Sequence, residues 1–66
     1  MRVLINGEVK ELPGEQSLDE LVKRLDLPTQ RVAVELNKVV VRRTDWQNTL
    51  INDNDRIEIV HFVGGG

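Results

Sequence analysis

One stretch of this sequence has helical spacing, and its position constrains the fold more than any other feature. Four apolar residues recur at the i, i+3, i+4 and i+7 intervals of an amphipathic helix, and they are predicted to form one buried stripe that faces a sheet: Leu18, Leu21, Val22 and Leu25. Ser17 precedes them as an N-cap, and Glu20 three residues later completes a capping box. Leu27-Pro28 is predicted to end the helix, because a residue before proline is pushed out of the α region.

The segments on either side of this helix alternate between apolar and polar residues, as half-buried strands do. Before the helix, Asn6-Gly7 separates two such segments and is the dipeptide that type I′ hairpin turns favour. After the helix, Asn37-Lys38 is predicted to be a turn between two further segments. The predicted strands cover 2–6, 8–12, 32–37, 39–41 and 56–63.

The order of these elements is strand, strand, helix, strand, short strand, short helical turn and strand. Two hairpins around one helix, closed by a last strand, predict an α+β protein with a ubiquitin-like β-grasp fold. We expect a mixed sheet of four to five strands packed on one main helix, with the first and last strands side by side and parallel. The predicted domain covers residues 1–63, and residues 64–66 are expected to form a flexible C-terminal glycine tail.

Two details of the second half of the domain stay open. The segment Val39 to Val41 is too short to set its register, so the sequence does not say which of its valines faces the core. A short helical turn around Trp46 is expected to be capped by Thr44 or Asp45. Trp46 is interpreted as a cover over one end of the core, with an anchor for a partner as the alternative.

Composition excludes several classes of function. Nine Lys and Arg against eleven Asp and Glu give a net charge of −2 with the signs interspersed, which argues against binding to nucleic acid or an anionic membrane. The chain has no cysteine, so thiol nucleophiles, redox pairs and thiolate metal sites are excluded. No apolar run of signal-peptide or membrane-spanning length begins the sequence, and a cytoplasmic location is expected.

The side chains offer no set of catalytic groups, and we do not expect an enzyme. His61 is the single histidine and is interpreted as a structural or partner-contact residue. Asp53 and Asp55 lack the spacing of a calcium loop, and a polar turn with Asx hydrogen bonds is favoured. No catalytic residue and no metal ligand is therefore predicted.

Successive side chains of the last predicted strand are expected to alternate between its two faces. Ile57 and Ile59 match the core side, which leaves Val60 and Phe62 on the opposite face. Exposed apolar residues at this place predict partner docking. In the alternative, the tail folds back or the strand bulges and covers Phe62.

Three glycines follow this strand, at Gly64, Gly65 and Gly66. Glycine has no Cβ, so such a run can pass through a channel that is too narrow for side chains. Four extended residues reach about 13 Å, far enough to bring a terminal carboxylate into another protein's active site. A frayed terminus or an expression remnant is the alternative.

Several segments together are typical of one known family, namely 32–37, 39–40 with Arg42 and Trp46, 57–60 and 62–66, together with Asp53 and Asp55. Through them the whole chain resembles the sulfur-carrier proteins of thiamine thiazole biosynthesis, the ThiS family. The family often has proline where Val41 stands and glycine where Asn54 stands, which alters turns and leaves the tail unchanged.

This resemblance implies a protein that serves as a substrate for enzymes. A ubiquitin-activating-type adenylyltransferase would use ATP and Mg to convert the Gly66 carboxylate into an acyl adenylate. A persulfide sulfur donor would then replace AMP to leave a thiocarboxylate, and thiazole synthase would take its sulfur. Gly64, Gly65 and Gly66 would enter the partners' active sites, and the carrier would bind no cofactor itself.

Two other functions are compatible with the same features. The small subunit of molybdopterin synthase shares the fold, the diglycine end and the activation chemistry, although that family is usually longer. A β-grasp binding or protein-modifier module, with its glycine tail either conjugated to lysine or merely flexible, is the second alternative.

Overall fold

A computed structural model describes residues 1–62 of the chain. Within this range the strands are β1 (Arg2–Ile5), β2 (Glu8–Glu11), β3 (Val32–Leu36), β4 (Val39–Val41) and β5 (Arg56–His61). One α-helix, α1 (Leu18–Arg24), lies between β2 and β3, and 3-10 helices cover Thr29–Arg31 and Arg43–Asn48. The predicted order of elements is confirmed. The 3-10 helix Thr29–Arg31 was not predicted.

The five strands form one mixed sheet in the order β2-β1-β5-β3-β4. Strand β5 runs parallel to β1, with Ile5 in register with Ile57, and antiparallel to β3. The outer pairs β1–β2 and β3–β4 are antiparallel hairpins. The prediction of a mixed sheet on one main helix, with the first and last strands parallel, is confirmed.

Both hairpins close through two-residue turns whose backbone has positive φ. Asn6 and Gly7 have φ of 50° and 82°, and Asn37 and Lys38 have φ of 52° and 72°. Type I′ turns need this conformation at both central residues, because their twist then matches that of the strands they join. The predicted turns at Asn6-Gly7 and Asn37-Lys38 are confirmed.

Helix α1 begins as the sequence predicts. The Ser17 hydroxyl accepts a hydrogen bond from the Glu20 backbone N–H at 3.2 Å, and the Glu20 carboxylate accepts one from the Ser17 N–H at 2.9 Å. This reciprocal capping box satisfies two N–H groups that a helix start leaves without partners. On the exposed side, Lys23 pairs with Asp19 one turn earlier at 3.0 Å.

The end of α1 differs from the prediction. The helix stops at Arg24, before Leu27-Pro28, because Asp26 adopts a left-handed φ of 58°. The N–H of Asp26 bonds to the Lys23 carbonyl and the N–H of Leu27 to the Val22 carbonyl, which is the Schellman motif. Leu25 therefore caps the helix and is 37% exposed, so its predicted place on the buried stripe was wrong.

Trp46 lies in the core, at 1% exposure, and its indole N–H donates a hydrogen bond to the Val41 carbonyl at 2.9 Å. Trp46 was interpreted as a cover over one end of the core, and the structure places it within the core cluster itself. The alternative of a partner anchor is excluded because the side chain is buried. The surrounding 3-10 helix begins at Arg43 without a side-chain cap, so the predicted caps Thr44 and Asp45 were wrong. Val41 packs against the core, whereas Val39 and Val40 are exposed, which settles the register that the sequence left open.

The core is a single cluster between α1 and one face of the sheet. Its buried members are Val3, Ile5, Leu12, Leu18, Leu21, Val22, Val32, Val34, Trp46, Ile51, Ile57 and Ile59. The central strand β5 contributes its inward residues to this cluster, and its other residues alternate to the opposite side. No helix among residues 1–62 is long and apolar enough to cross a membrane.

Replacement of Asp26 by glycine is expected to raise the free energy of unfolding by about 0.5–1 kcal/mol. Glycine is the residue best suited to the left-handed position after a helix, because it has no Cβ to clash there. Urea denaturation of the wild type, Asp26→Gly and the control Asp26→Ala measures the difference. A stabilising Asp26→Ala, or a destabilising Asp26→Gly, would contradict this account of the helix end.

Candidate functional site

Strand β5 is the element that leads to the terminal glycines, and it lies in the middle of the sheet. Ile57 and Ile59 point into the core, and their burial confirms the predicted alternation. Its two neighbours are the hairpins β1–β2 and β3–β4, and each hairpin turn supplies an asparagine side chain to β5. The position of the candidate site thus depends on both hairpins.

Asn6 holds the middle of β5. Strand β1 ends at Ile5, and the Asn6 side chain continues the ladder in place of a further strand residue. Its Oδ1 accepts a hydrogen bond from the Ile59 N–H at 2.7 Å, and its Nδ2 donates one to the Ile59 carbonyl at 3.1 Å. One amide side chain therefore satisfies both backbone groups of a residue on the central strand.

Asn37 holds the start of β5 from the other side. Its backbone N–H donates to the Arg56 carbonyl at 2.7 Å, and its Oδ1 accepts from the Arg56 N–H at 2.9 Å. Its Nδ2 donates to Oδ1 of the buried carboxylate of Asp55 at 3.0 Å, and the other oxygen of that carboxylate accepts from the Asn52 N–H at 2.7 Å. The turn before β5 and the turn after β3 are thereby joined.

The predicted docking residues lie on the outer face of the sheet, which is the face turned away from α1. Val60 is 58% exposed and Phe62 is 39% exposed. The Phe62 N–H donates to the Arg31 carbonyl at 2.8 Å, so the backbone stays beside β3 as far as this residue. Neither a bulge nor a fold-back covers Phe62 within the described range, and its docking role stays a prediction.

Val60 has both apolar and acidic neighbours on the outer face. The register of β5 with β3 places Ala33 opposite Val60 and Glu35 opposite Glu58. The register of β3 with β4 then brings Val40 next to Glu35. Directly opposed residues have Cβ atoms about 4.5–5.5 Å apart, so these side chains form one continuous surface. Apolar residues therefore flank a pair of carboxylates on the outer face of the sheet.

The remaining candidate residues fall into three groups. His61 is exposed at the end of β5, in register with Val32. Asp53 and Asp55 accept hydrogen bonds from backbone N–H groups, which confirms the polar turn, and residues 1–62 contain no cluster of three metal-binding side chains. The predicted tail residues Gly64, Gly65 and Gly66 lie outside the range 1–62 that the structure describes.

Comparison with known proteins decides the family. The sequence matches the model of the ThiS family over residues 3–66. The chain belongs to the ThiS family. The sulfur carrier protein ThiS of Bacillus subtilis (strain 168) is 36% identical over 63 residues, which cover 94% of this chain and 96% of that protein.

A solved structure and a longer relative extend this finding. The crystal structure of the thiamine biosynthesis protein ThiS from Geobacter metallireducens superimposes with a TM-score of 0.88 at 32% identity and covers 100% of both chains. A thiazole synthase of Paramagnetospirillum magneticum is 35% identical over 66 residues, and the chain spans 20% of its length. The family model confirms the predicted resemblance to the ThiS family, and the solved structure confirms the predicted β-grasp fold.

Two residues with a structural role at this site were missed by the sequence analysis. Asn6 and Asn37 were recognised as turn residues, and nothing indicated that their side chains bind β5. Asparagine is common at positive φ whatever its side chain contacts, so the residue type alone carries no further signal. The exposure of Val40 was open for a different reason, since it depended on the register of β4.

Asn6→Gly and Asn37→Gly are each expected to lower the free energy of unfolding by about 1–3 kcal/mol. Glycine keeps the positive φ but leaves backbone groups of Ile59 or Arg56 without their partners. The matched control is Asn54→Gly, because Asn54 also has positive φ while its side chain makes one exposed contact at 3.5 Å. Equal losses at all three positions in urea denaturation would show that the side-chain bonds to β5 contribute nothing.

Proposed function

We propose that Gly66 is the residue on which this ThiS-family protein carries sulfur, through its C-terminal carboxylate. The observation that carries the proposal is that the family match includes Gly64, Gly65 and Gly66. The alignment with the Geobacter metallireducens structure, which spans both chains completely, supports the same assignment. Residues 64–66 are proposed to enter the active sites of the partners.

The proposed chemistry starts from a carboxylate, which is a poor electrophile. A ubiquitin-activating-type adenylyltransferase would transfer AMP from ATP, with Mg, to a Gly66 carboxylate oxygen, and pyrophosphate would leave. The terminal sulfur of a persulfide would attack the Gly66 carbonyl carbon and displace AMP. A thiol would then cleave the acyl disulfide, which leaves the thiocarboxylate and a new disulfide. Glycine has no side chain to shield the carbonyl in these steps.

The absence of cysteine from this chain is consistent with the proposed role. A thiolate within the carrier would be a strong nucleophile towards its own activated terminus. None of the 66 residues is a cysteine, so the acyl adenylate would persist until the external sulfur donor attacks. ATP and Mg belong to the activating enzyme in this scheme, and the carrier needs no bound cofactor.

Thiazole synthase is the proposed acceptor of the sulfur. The support is that this chain aligns over its whole length with one fifth of a protein named thiazole synthase. A sequence of this kind thus occurs in one polypeptide with a protein named thiazole synthase, and we propose that the present chain also associates with a thiazole synthase. The setting of these reactions is proposed to be the cytoplasm.

Intact-mass spectrometry tests the proposal directly. Incubation with a cognate activating enzyme, Mg-ATP and a persulfide donor is expected to replace one oxygen of the protein by one sulfur. A variant that lacks Gly65 and Gly66 is the control and is expected to keep its mass. An unchanged wild-type mass, or an exchange that also occurs in the shortened variant, would refute the proposal that the Gly66 carboxylate carries the sulfur.

Docking of the partners is proposed to use Val60 and Phe62 on the outer face. Phe62→Asp is expected to weaken binding to the activating enzyme by about tenfold or more, since an apolar contact is replaced by a desolvated charge. The fold should remain, because Phe62 is exposed. Titration calorimetry measures the affinity, and circular dichroism checks the fold.

The matched control for this docking test is Glu58→Gln, which removes a charge from the same face without removing apolar area. It is expected to change the affinity less than Phe62→Asp does. An unfolded Phe62→Asp would assign that side chain to the core, and unchanged affinity in a folded Phe62→Asp would remove it from the docking surface.

A further inference from the structure

The two edges of the sheet differ in how they are protected. On β2, three of four residues are charged, namely Glu8, Lys10 and Glu11. Charged residues on an edge strand hinder the addition of another strand. On β4, all three residues are valine, and Val39 and Val40 are each 65% exposed. The β4 edge therefore lacks the protection that the β2 edge has.

The backbone of β4 has hydrogen-bonding groups that face away from the sheet. On the other side of β3, Arg31 and Asn37 use peptide groups to bond β5. Because peptide groups alternate between the two edges of a strand, residues 34 and 36 face β4, where their register partners are Val41 and Val39. Val40 lies between these two and directs its N–H and C=O outward.

Basic residues stand at both ends of this edge. Lys38 precedes Val39, and Arg42 and Arg43 follow Val41, and all three basic side chains are exposed. The ion pairs found within residues 1–62 involve other cations. The β4 edge is thus a short apolar strand between two positively charged ends.

This charge arrangement disfavours a second copy of the chain on the edge. Two β4 strands that pair antiparallel about Val40 would place Lys38 opposite Arg42 of the copy at each end. Like charges directly opposite one another destabilise a strand pair. A segment with acidic residues at both ends meets no such repulsion.

We propose that the β4 edge binds an extended segment of a partner protein, in which apolar residues are flanked by Asp or Glu. The segment would add as a sixth strand beside β4. Its backbone would bond to the N–H and C=O of Val40, its apolar side chains would cover Val39 and Val40, and its acidic ends would meet Lys38 and Arg42. Strand addition of this kind obtains affinity from the backbone and selectivity from the side chains. The Val40 side chain belongs to the outer face, whereas the free backbone groups of this edge are separated from Val60 and Phe62 by strand β3.

The probe is a synthetic peptide in which valines alternate with threonines between glutamates at both ends. Its counterpart carries lysines in place of the glutamates. Both are titrated into the isotope-labelled full chain, and the amide shifts of the protein are followed by NMR. We expect shifts centred on residues 38–43, and at low ionic strength an affinity for the glutamate peptide at least ~10-fold higher than for the lysine peptide.

Val40→Pro removes the outward N–H and leaves the β3–β4 bonds in place, as proline on an edge strand does. Its matched control is Val9→Pro on β2. Leu4 directs its N–H to the β5 side of β1, so its register partner Val9 directs its own N–H away from the sheet, as Val40 does. We expect Val40→Pro to abolish peptide binding and Val9→Pro to retain it. Arg42→Glu with Arg43→Glu tests the charge independently of the backbone and is expected to reverse the preference between the peptides.

Several outcomes would overturn the proposal. These are equal affinity for the two peptides, no binding of the glutamate peptide at millimolar concentration, or shifts centred on β2 or on Val60 and Phe62. Self-association of the free protein that Val40→Pro abolishes and Val9→Pro retains would assign the edge to a second copy instead. Sedimentation of the free protein provides that measurement.

Discussion

The sheet depends on the hydrogen bonds that two asparagine side chains make to its central strand. Asn37 pairs with Arg56 at the start of β5, and Asn6 pairs with Ile59 in its middle. Each asparagine is also a turn residue with positive φ, so the geometry that closes each hairpin also aims a side-chain amide at β5. A hydrogen bond of this kind contributes about 0.5–1.5 kcal/mol net, and more is lost when a half-buried backbone group is left without a partner. In a domain of this size such terms matter, because total stability is only about 5–15 kcal/mol.

This arrangement connects the fold with the proposed role of the chain's end. Ile57 and Ile59 fix β5 in the core, while the alternating residues Glu58, Val60 and Phe62 are presented on the outer face. A partner that docks on this face meets a surface held by the whole sheet, and in sequence this strand is followed by the glycines of the proposed carrier end. In the proposed scheme the protein contributes position alone, and the reacting atom is a carboxylate that enzymes activate. The family assignment agrees with a carrier whose side chains perform no chemistry.

Much of the fold was predictable from the sequence because its signals are local. The period-2 strands, the capping box at Ser17 and the turns at Asn6 and Asn37 each depend on residues close together in the chain. The features that were missed depend on distant contacts or on one backbone angle. Asp26 ended α1 early through its left-handed conformation, which the stronger signal of Leu27-Pro28 concealed. The register of β4 follows from its pairing with β3, and the side-chain bonds of Asn6 reach a residue 53 positions away. The exposure of the predicted docking residues Val60 and Phe62 could be predicted because alternation along β5 is again local, whereas their neighbours Ala33 and Val40 required the register of the sheet.

Both hairpin turns hold strand β5. Native-state hydrogen exchange of individual amides is the decisive measurement, since the Ile59 and Arg56 N–H groups donate to the side chains of Asn6 and Asn37. Both amides are expected to exchange only through global unfolding, with opening free energies equal to the stability measured in urea. Asn6→Gly is expected to lower protection at Ile59 by more than the loss in global stability explains. Exchange of both wild-type amides through local opening, as fast as that of the outward Val40 amide, would contradict this role of the two turns.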